Sequence, residues 1–280
     1  MPTTYAHYSF GDKCIKTMPV EYKTIVEKYR DLFNIGVHGP DFFFYDLKEP
    51  DVAAYGYDMH YNPARSFFER CRIVYKTHKE KEAILAYTLG FLTHFALDSS
   101  CHSYVCAKQE ASKLSHSKVE SEFDRYLIEK DGKKPNKINR GKLIKPSIES
   151  SKIISYFFPH NEETIYKSIK NTSMFVSILS PKTKLVKNML INITRKLGKD
   201  DYADMLLDEK EFEPCKDSNL RLEKLMNNAL EMYPKLLDSF IKYLKEEKEL
   251  IDYFDKTFDK DEDYYKIPVL SYEDELNYQC

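Results

Sequence analysis

The sequence predicts an all-α protein, and three observations support this fold class. Only 8 of the 280 residues are glycine, which is few for a sheet protein with many tight turns. Leu, Lys and Glu, which favour helices, are abundant. Apolar residues also recur with the 3.6-residue period of a helix in one segment after another. We therefore expect a single-domain multi-helix bundle over residues 1–258, followed by an acidic, tyrosine-rich tail over residues 259–280.

Individual helices are predicted where apolar side chains follow the helical period. In chain order these segments are 19–33, 64–78, 82–108, the segment after Ser115, and the packing helices 161–179, 182–197 and 217–254. Prolines suit the first turn of the helices at 19 and 64, and Ser115 is a preferred N-cap. Pro234 predicts a kink in the last helix. The segments 36–62 and 130–145 are predicted to be loops, and the tail to be irregular.

Composition limits the classes of partner and compartment. The formal net charge of −2 provides no overall attraction to nucleic acid or to an anionic membrane. The most apolar stretch, residues 83–97, is shorter than the roughly 20 residues of a spanning helix, so we expect a buried core helix. The six cysteines contain no CxxC pair and are interpreted as reduced thiols. No signal-like segment precedes Gly11, so we expect a cytoplasmic protein, or a secreted one whose leader was removed.

The chemistry is predicted to lie in the N-terminal half, because seven of the eight histidines precede residue 117. On the helix 82–108, His94, Asp98 and His102 are spaced four residues apart. Each step of four turns the helix by only about 40°, so all three face one way. His116 and Glu120 repeat this spacing on the next helix, as the histidines of an HExxH zinc helix do. Imidazole nitrogen and carboxylate oxygen are ligands that Zn²⁺ accepts.

Each of these residues also has a structural interpretation. A lone histidine on an apolar helix face, as His94 would be, is more often a hydrogen-bonded core residue than a ligand. Asp98 changes this balance, because a buried carboxylate is very costly without a partner and a cation supplies one. His38 and His78 are interpreted as surface or hydrogen-bonding residues, with the alternative that His38, which lies close to Asp41, lines the cleft. His160 is interpreted as a structural residue.

An ordered series of motifs runs from residue 4 to residue 125. The segments are Thr4-Tyr5-Ala6-His7, Phe10-Gly11, Gly36-Val37-His38-Gly39-Pro40-Asp41, Gly56-Tyr57-Asp58-Met59-His60, Gly90-Phe91-Leu92-Thr93-His94-Phe95-Ala96-Leu97-Asp98-Ser99-Ser100-Cys101-His102 and His116-Ser117-Lys118-Val119-Glu120. The pattern HxxxDxxxH followed by HxxxE, after GPD and MH elements, resembles the zinc-dependent phospholipase C family of bacteria. That family shares its all-helical fold with the S1/P1 nucleases.

The resemblance implies a site for two or three zinc ions. By position, the first ion is held by Asp41, His60, His94 and Asp98. The second ion is held by His102, His116 and Glu120. The third ion is held by His7 and by Asp98, which is shared between two ions. In secreted members the amine and carbonyl of an N-terminal tryptophan also bind the third ion. This sequence contains no tryptophan, so His7 is a conditional ligand.

The implied function is zinc-dependent hydrolysis of a phosphoester, and a phospholipase C-like phosphodiesterase is the first hypothesis. Clustered zinc ions generate a metal-bound hydroxide, bind the phosphoryl oxygens and stabilise the leaving alkoxide. Asp41 is the candidate general base. Phe42 and Tyr57 occupy the aromatic positions that surround the quaternary ammonium in phosphatidylcholine-cleaving relatives, although Phe42 equally suits core packing. Residues 1–6 contain no acidic residue, which argues against choline selectivity.

The expected substrate is a phospholipid or another phosphate ester, with at most transient contact with a membrane surface. Two other functions remain open. An S1/P1-type nuclease or nucleotidase would cleave single-stranded DNA or a 3′-nucleotide. For that function the only candidate basic groove is the loop 130–145, with seven basic residues and one Asp, and no base-stacking element is visible. A non-catalytic binding protein stabilised by metal would gain thermal stability from zinc without turnover. The oligomeric state is not predicted.

Overall fold

The computed structural model describes residues 4–280, and every regular element within them is a helix, which confirms the predicted all-α fold. The α-helices are α1 (Thr4–Thr17), α2 (Val20–Lys28), α3 (Arg30–Gly36), α4 (Pro50–Tyr61), α5 (Arg65–Thr77), α6 (Lys81–Ser112), α7 (His116–Lys130), α8 (Ile148–Ser155), α9 (Glu162–Ile178), α10 (Lys184–Lys196), α11 (Asp200–Asp204), α12 (Lys216–Leu244) and α13 (Tyr272–Asn277). Short 3-10 helices lie at Asp41–Tyr45, Pro135–Lys137, Arg140–Leu143, Glu213–Cys215, Asp252–Asp255 and Tyr264–Lys266.

Helix α6 is the central element of the bundle. Its residues from Ala83 to Ser99 are all buried, so it is covered on every side and not only along one stripe. It crosses α3 at two glycines. A Cβ at Gly36 would lie 2.3 Å from the carbonyl oxygen of Tyr87, and one at Gly90 would lie 2.3 Å from that of Phe33. The two backbones therefore touch at this crossing, which holds the ligand-bearing part of α6 against the loop that follows α3.

The prediction that the segment 36–62 is a loop is wrong. The segment contains the 3-10 helix Asp41–Tyr45 and helix α4. Helix α4 begins at Pro50, which fits the first turn of a helix. Its buried residues are Val52, Gly56 and His60, four positions apart. A stripe built from one glycine, one histidine and a single apolar residue does not produce hydrophobic periodicity, which explains why the sequence pattern missed this helix.

Most other helix predictions are confirmed, with altered ends. Helices α5, α6, α9 and α10 match the predicted segments, and Ser115 caps α7 by accepting a 3.1 Å hydrogen bond from the Lys118 amide. The predicted helix 19–33 is divided at Tyr29, where φ is −113° and ψ is 42°. Helix α12 passes through Pro234 but ends at Leu244, ten residues earlier than predicted, and Glu246 adopts a positive φ of 60°. Helix α10 has no buried residue, so it is not a packing helix of the expected kind.

The tail is more ordered than the sequence pattern indicated. Helix α13 lies on α12 through a buried ion pair, in which Arg221 donates to both carboxylate oxygens of Glu275 at 3.0 and 2.6 Å. Lys224 donates to the carbonyl oxygens of Glu275 and Tyr278 at the end of α13. The prediction of irregular structure for the tail is therefore wrong for residues 272–277, where tertiary contacts with α12 stabilise a short helix.

No helix among residues 4–280 combines the length and the apolar composition needed to cross a membrane. All six cysteines are unpaired, and five of them are buried, in agreement with the interpretation as reduced thiols.

Candidate metal centre

Five elements bring the eight predicted ligands into one region of the bundle. Helix α1 carries His7, the 3-10 helix after α3 carries Asp41, and α4 carries His60. Helix α6 carries His94, Asp98 and His102, and α7 carries His116 and Glu120. All are buried except His116, which is partly exposed. The structure thus gathers every side chain that the sequence singled out for a metal, and their binding of zinc stays a prediction.

The first group of donor atoms belongs to Asp41, His60, His94 and Asp98. The Nε2 atom of His60 lies 3.0 Å from Oδ1 of Asp41, and Nε2 of His94 lies 3.0 Å from Oδ2 of Asp98. The cross distances are 3.9 Å from His60 to Asp98 and 4.0 Å from His94 to Asp41. Ligands about 2.0–2.1 Å from a tetrahedral zinc ion are separated by roughly 3.3 Å. This group therefore fits one such ion with small adjustments.

The second group consists of His102, His116 and Glu120. Oε1 of Glu120 lies 3.1 Å from Nε2 of His116 and 3.5 Å from Nε2 of His102. A cavity of about 20 Å³ lies beside this group, which is room for one water-sized species. It is bounded by Asp98, His102 and Glu120 and by apolar side chains, and His116 does not line it. Three protein ligands of these types suit a zinc ion, and a fourth position open to water stays part of the prediction.

His7 lies between the first group and the start of the chain. Its Nε2 atom is 3.1 Å from Oδ1 of Asp98, and its ring stacks on that of His94 with centroids 4.5 Å apart. The donor atoms of His7, Asp41 and His94 also lie within 4.8 Å of one another. This position is compatible with a third ion at His7 and Asp98, which stays a prediction. The N-terminal amine lies outside the described residues.

The residues present pass a simple test for holding cations. Buried polar atoms in native proteins almost always have a hydrogen-bond partner, yet many polar atoms of these groups have none. They are both carboxylate oxygens of Asp41, Oδ2 of Asp98, and the Nε2 atoms of His60, His94 and His116. Bound cations would satisfy them together, whereas without cations each would carry a desolvation cost.

The electrostatics of the cluster keep its carboxylates ionised. Burial alone would raise the pKa of Asp98, but the neighbouring imidazoles of His94, His102 and His7 hold that pKa well below its usual range. Burial likewise opposes ionisation of Glu120, while His116 and His102 lower its pKa to about 2. Anionic carboxylates beside imidazoles are the donor set that Zn²⁺ accepts.

Two backbone carbonyls fix the orientation of the histidines. The Nδ1 atom of His60 is 2.8 Å from the carbonyl oxygen of Gly56, one turn earlier in α4. The Nδ1 atom of His102 is bonded to the carbonyl oxygen of Phe258, 156 residues away. When Nδ1–H donates to a carbonyl, the lone pair of the imidazole lies on Nε2, which faces the cluster. Sequence reasoning missed Phe258, because a backbone carbonyl leaves no signal in the sequence.

Gly39 explains why the GPD motif requires glycine. Its φ is +50°, and a Cβ built on it would lie 2.1 Å from Cδ2 of His94. Any other residue would be strained by the left-handed backbone and would collide with a ligand ring. This close approach brings Asp41, two residues later, to the imidazole of His94.

Helix α1 is anchored by a buried carboxylate. Asp124 accepts hydrogen bonds from the amides of Tyr5 and Ala6 at 3.1 and 2.8 Å, and from Arg140 at 3.1 Å. These amides are at the N-terminus of the helix, where a negative charge is favourable, and they fix the position of His7 one residue later. Arg140 lies in the segment 130–145, which was predicted to be a loop exposed to solvent. Its side chain is buried, so the prediction of exposure is wrong for this residue.

The aromatic residues expected to contact substrate have different surroundings. Phe42 is completely buried and packs on Phe43 and Phe158, as the core-packing alternative requires. Its contact with a substrate stays a prediction. Tyr57 is 45% exposed and stacks on Phe44 with centroids 4.3 Å apart. Phe44 in turn lies 5.0 Å from the ring of His60, so Tyr57 offers an aromatic surface beside the first group.

Two further polar side chains lie near the cluster: Tyr45, which was not predicted from the sequence, and His38, for which a position lining the cleft was one alternative. The hydroxyl of Tyr45 is buried without a partner, and burial together with the charge of Asp41 raises its pKa well above the ordinary value. His38 is also buried, with neither ring nitrogen hydrogen-bonded, and its ring is 6.4 Å from that of His7. A surface role for His38 is therefore wrong. Their only sequence signal was proximity to Asp41.

The two other histidines lie outside the cluster. His78 stacks on Tyr156 with centroids 3.9 Å apart, and its Nδ1 atom is 3.2 Å from the carbonyl oxygen of Val74. His160 packs against the rings of Phe43 and Tyr55. Both have the structural roles expected of them.

Comparison with known proteins identifies one family. Residues 6–174 match the model of the family described as zinc dependent phospholipase C. The matched range is more than half of the chain and contains all eight residues of the cluster. No curated protein and no solved structure matches the chain.

Proposed function

Because this chain belongs to the zinc-dependent phospholipase C family, we propose that it is a phosphodiesterase that releases the phosphorylated headgroup of a phospholipid. The single observation that carries this proposal is the joint placement of two ligand groups around Asp98. Oδ2 of Asp98 lies 3.0 Å from Nε2 of His94, and Oδ1 of the same carboxylate lies 3.1 Å from Nε2 of His7. Such sharing supports a multinuclear centre of two or three zinc ions.

Zinc ions at these groups would supply Lewis acidity toward the phosphoryl oxygens and a nucleophilic water at neutral pH. The protein holds the donor atoms in advance, because all but one of the eight side chains are buried and two histidines are oriented by carbonyls. Asp41 remains the candidate general base. Its Oδ2 atom is buried and has no hydrogen-bond partner, so it is available to accept a proton from an attacking water.

The exposed fractions of the ligand side chains support a route by which the substrate reaches the metal centre. The side chain of His116 is 21% exposed, more than that of any other ligand. Tyr57, with its exposed aromatic face, extends the accessible surface on the side of His60. A phosphodiester that approaches the first ligand group beside Tyr57 would present its phosphoryl oxygens to the ligands, and its headgroup would be able to contact the ring of Tyr57.

The test is hydrolysis of a lipid panel by the zinc-loaded full-length chain. We expect diacylglycerol and a phosphorylated headgroup as products, identified by mass spectrometry from phosphatidylcholine, phosphatidylethanolamine and phosphatidylglycerol. His94→Ala should abolish this turnover because it removes a ligand of the first group. The matched control is His78→Ala, which also removes a histidine but lies outside the cluster, and it should retain activity.

The same experiment separates the other functions. Single-stranded DNA and 3′-nucleotides are assayed beside the lipids, and cleavage of those substrates alone would replace the proposal by a nuclease. A protein that gains thermal stability with zinc but turns over no substrate would be a metal-stabilised binding protein. Elemental analysis of the purified protein gives the number of ions, and a result of none would overturn the assignment.

A further inference from the structure

Helix α10 exposes a continuous apolar face. None of its residues is buried, and the exposed fraction is 81% for Leu185, 52% for Met189 and 46% for Ile193. These residues are four positions apart, so they follow one side of the helix, and Val186 and Leu197 widen the same side. Exposed apolar patches of this size on a folded protein usually mark an interaction surface.

The helix is also strongly basic. Between Pro181 and Lys199 the chain has six basic residues and no acidic residue: Lys182, Lys184, Lys187, Arg195, Lys196 and Lys199. Lys187 points toward the protein and is bonded to Asp208 and to the carbonyl oxygen of Leu207. The others are exposed, although Arg195 lies 4.0 Å from the exposed carboxylate of Asp200. This local charge contrasts with the net charge of −2 for the whole chain.

The inner side of α10 connects it to the metal centre. Leu190 and Ile191 pack on a small apolar cluster that contains Phe44 and Tyr45. These two residues belong to the 3-10 helix that begins with Asp41. One small apolar cluster therefore connects the inner side of α10 with the segment that carries a predicted zinc ligand.

We propose that α10 is an interfacial helix that docks this protein on the surface of an anionic phospholipid bilayer. The exposed apolar face enters the boundary between headgroups and acyl chains, and the flanking lysines and arginine contact the anionic headgroups. With 13 residues it is too short to span a bilayer, which needs about 20. The charge favours this partner over a second copy of the chain, because two copies of α10 face to face would bring like charges together.

This inference rests on the proposed function for its biological meaning, since a lipid phosphodiesterase needs its site close to the membrane surface. Its test, however, measures binding and not hydrolysis. The chain contains no tryptophan, so one tryptophan introduced at Met189 reports on that position alone. Met189→Trp should show a blue-shifted emission when phosphatidylglycerol vesicles are added. The matched control is Val20→Trp, at a residue of α2 that is 79% exposed, and its emission should not move.

Sedimentation with vesicles tests the two components separately. Leu185→Asn with Met189→Gln should lower the partition coefficient on phosphatidylglycerol vesicles by at least about tenfold, because two apolar side chains no longer enter the bilayer while the charge is unchanged. Lys184→Glu, Arg195→Glu and Lys196→Glu together should weaken binding similarly. The control triple variant Lys16→Glu, Lys235→Glu and Lys248→Glu makes the same charge change at exposed sites elsewhere and should bind normally. Melting curves verify that each variant is folded.

Three results would overturn the assignment of α10. An emission of Met189→Trp that stays constant when vesicles are added would show that α10 does not contact lipid. Equal binding of the Leu185→Asn, Met189→Gln variant and the parent protein would also refute the proposal. If the parent protein binds no vesicles but forms a stable dimer, and this variant is monomeric, the exposed face of α10 belongs to an interface with a second copy. If the parent protein binds vesicles but hydrolyses no lipid, the proposed function is refuted and the proposal that α10 docks on the bilayer is retained.

Discussion

Replacing Gly39 by alanine is the sharpest test of how the GPD segment builds the first ligand group. The added Cβ would lie 2.1 Å from Cδ2 of His94, and the backbone φ of +50° disfavours any side chain. The left-handed backbone costs roughly 1–2 kcal/mol, and overpacking against a buried ring costs about 1–3 kcal/mol more. The expected loss is therefore about 2–5 kcal/mol. A chain of this length unfolds with an entropy near 0.6 kcal/mol/K, so the melting temperature should fall by roughly 3–8 °C.

Gly132→Ala is the matched control for this prediction. Its φ is +71°, but a Cβ there meets nothing within 4 Å, so only the backbone cost of roughly 1–2 kcal/mol applies. Calorimetry compares the two variants, and titration against a competing chelator compares their zinc affinities. Gly39→Ala should bind zinc about 10- to 100-fold more weakly, the usual effect of disturbing the support of a ligand. Equal melting temperatures and wild-type zinc affinity in Gly39→Ala would refute the reasoning.

Three further predictions concern the C-terminal part of the chain. Phe258→Ala and Phe254→Ala each remove a buried ring and should each lower the free energy of unfolding by about 3–5 kcal/mol in urea. Only Phe258→Ala should weaken zinc binding, because the Phe258 ring packs 5.8 Å from the rings of His60 and His94 and anchors the backbone carbonyl that contacts His102. Equal zinc affinities in the two variants would contradict this. Glu275→Ala leaves Arg221 buried without its carboxylate and should cost about 3–5 kcal/mol, whereas an unchanged melting curve would show that the tail contributes nothing. Burial opposes ionisation of Asp208, yet hydrogen bonds from two lysines hold its pKa below the ordinary value. This contact therefore stabilises the fold above the unfolded pKa of about 3.9 and is lost as pH falls through the lower folded value. Since the carboxylate is 40% exposed, the effect is at most about 1 kcal/mol, and Asp208→Asn should melt below the wild type at pH 7 and approach it in acid.

The sequence predicted the fold class and the region of the site because both depend on local patterns. His94, Asp98 and His102 share a face of α6 by the geometry of any helix, and the long apolar run around them required burial. His116 and Glu120 follow by the same spacing on α7. The structure brings these residues together within one cluster, and their ligand role awaits the metal analysis.

The features that were missed depend on contacts between distant parts of the chain. Helix α4 has no apolar stripe, because its buried positions include Gly56 and His60. The tail forms α13 because Glu275 meets Arg221 on α12, and composition alone made that segment look irregular. Helix α10 satisfied the helical pattern, but periodicity cannot reveal whether an apolar face is covered by protein or left exposed.

The bond between His102 and Phe258 also bears on how this protein is made. The ligands themselves occur between residues 7 and 120, so the emerging N-terminal half already contains every donor atom of the predicted centre. The carbonyl that orients His102 is encoded 156 residues later, so it leaves the ribosome well after the histidine itself. A pairing so distant in sequence raises the contact order and slows folding. The second ligand group therefore reaches its final geometry only after Phe258 has been synthesised and has folded back onto α6.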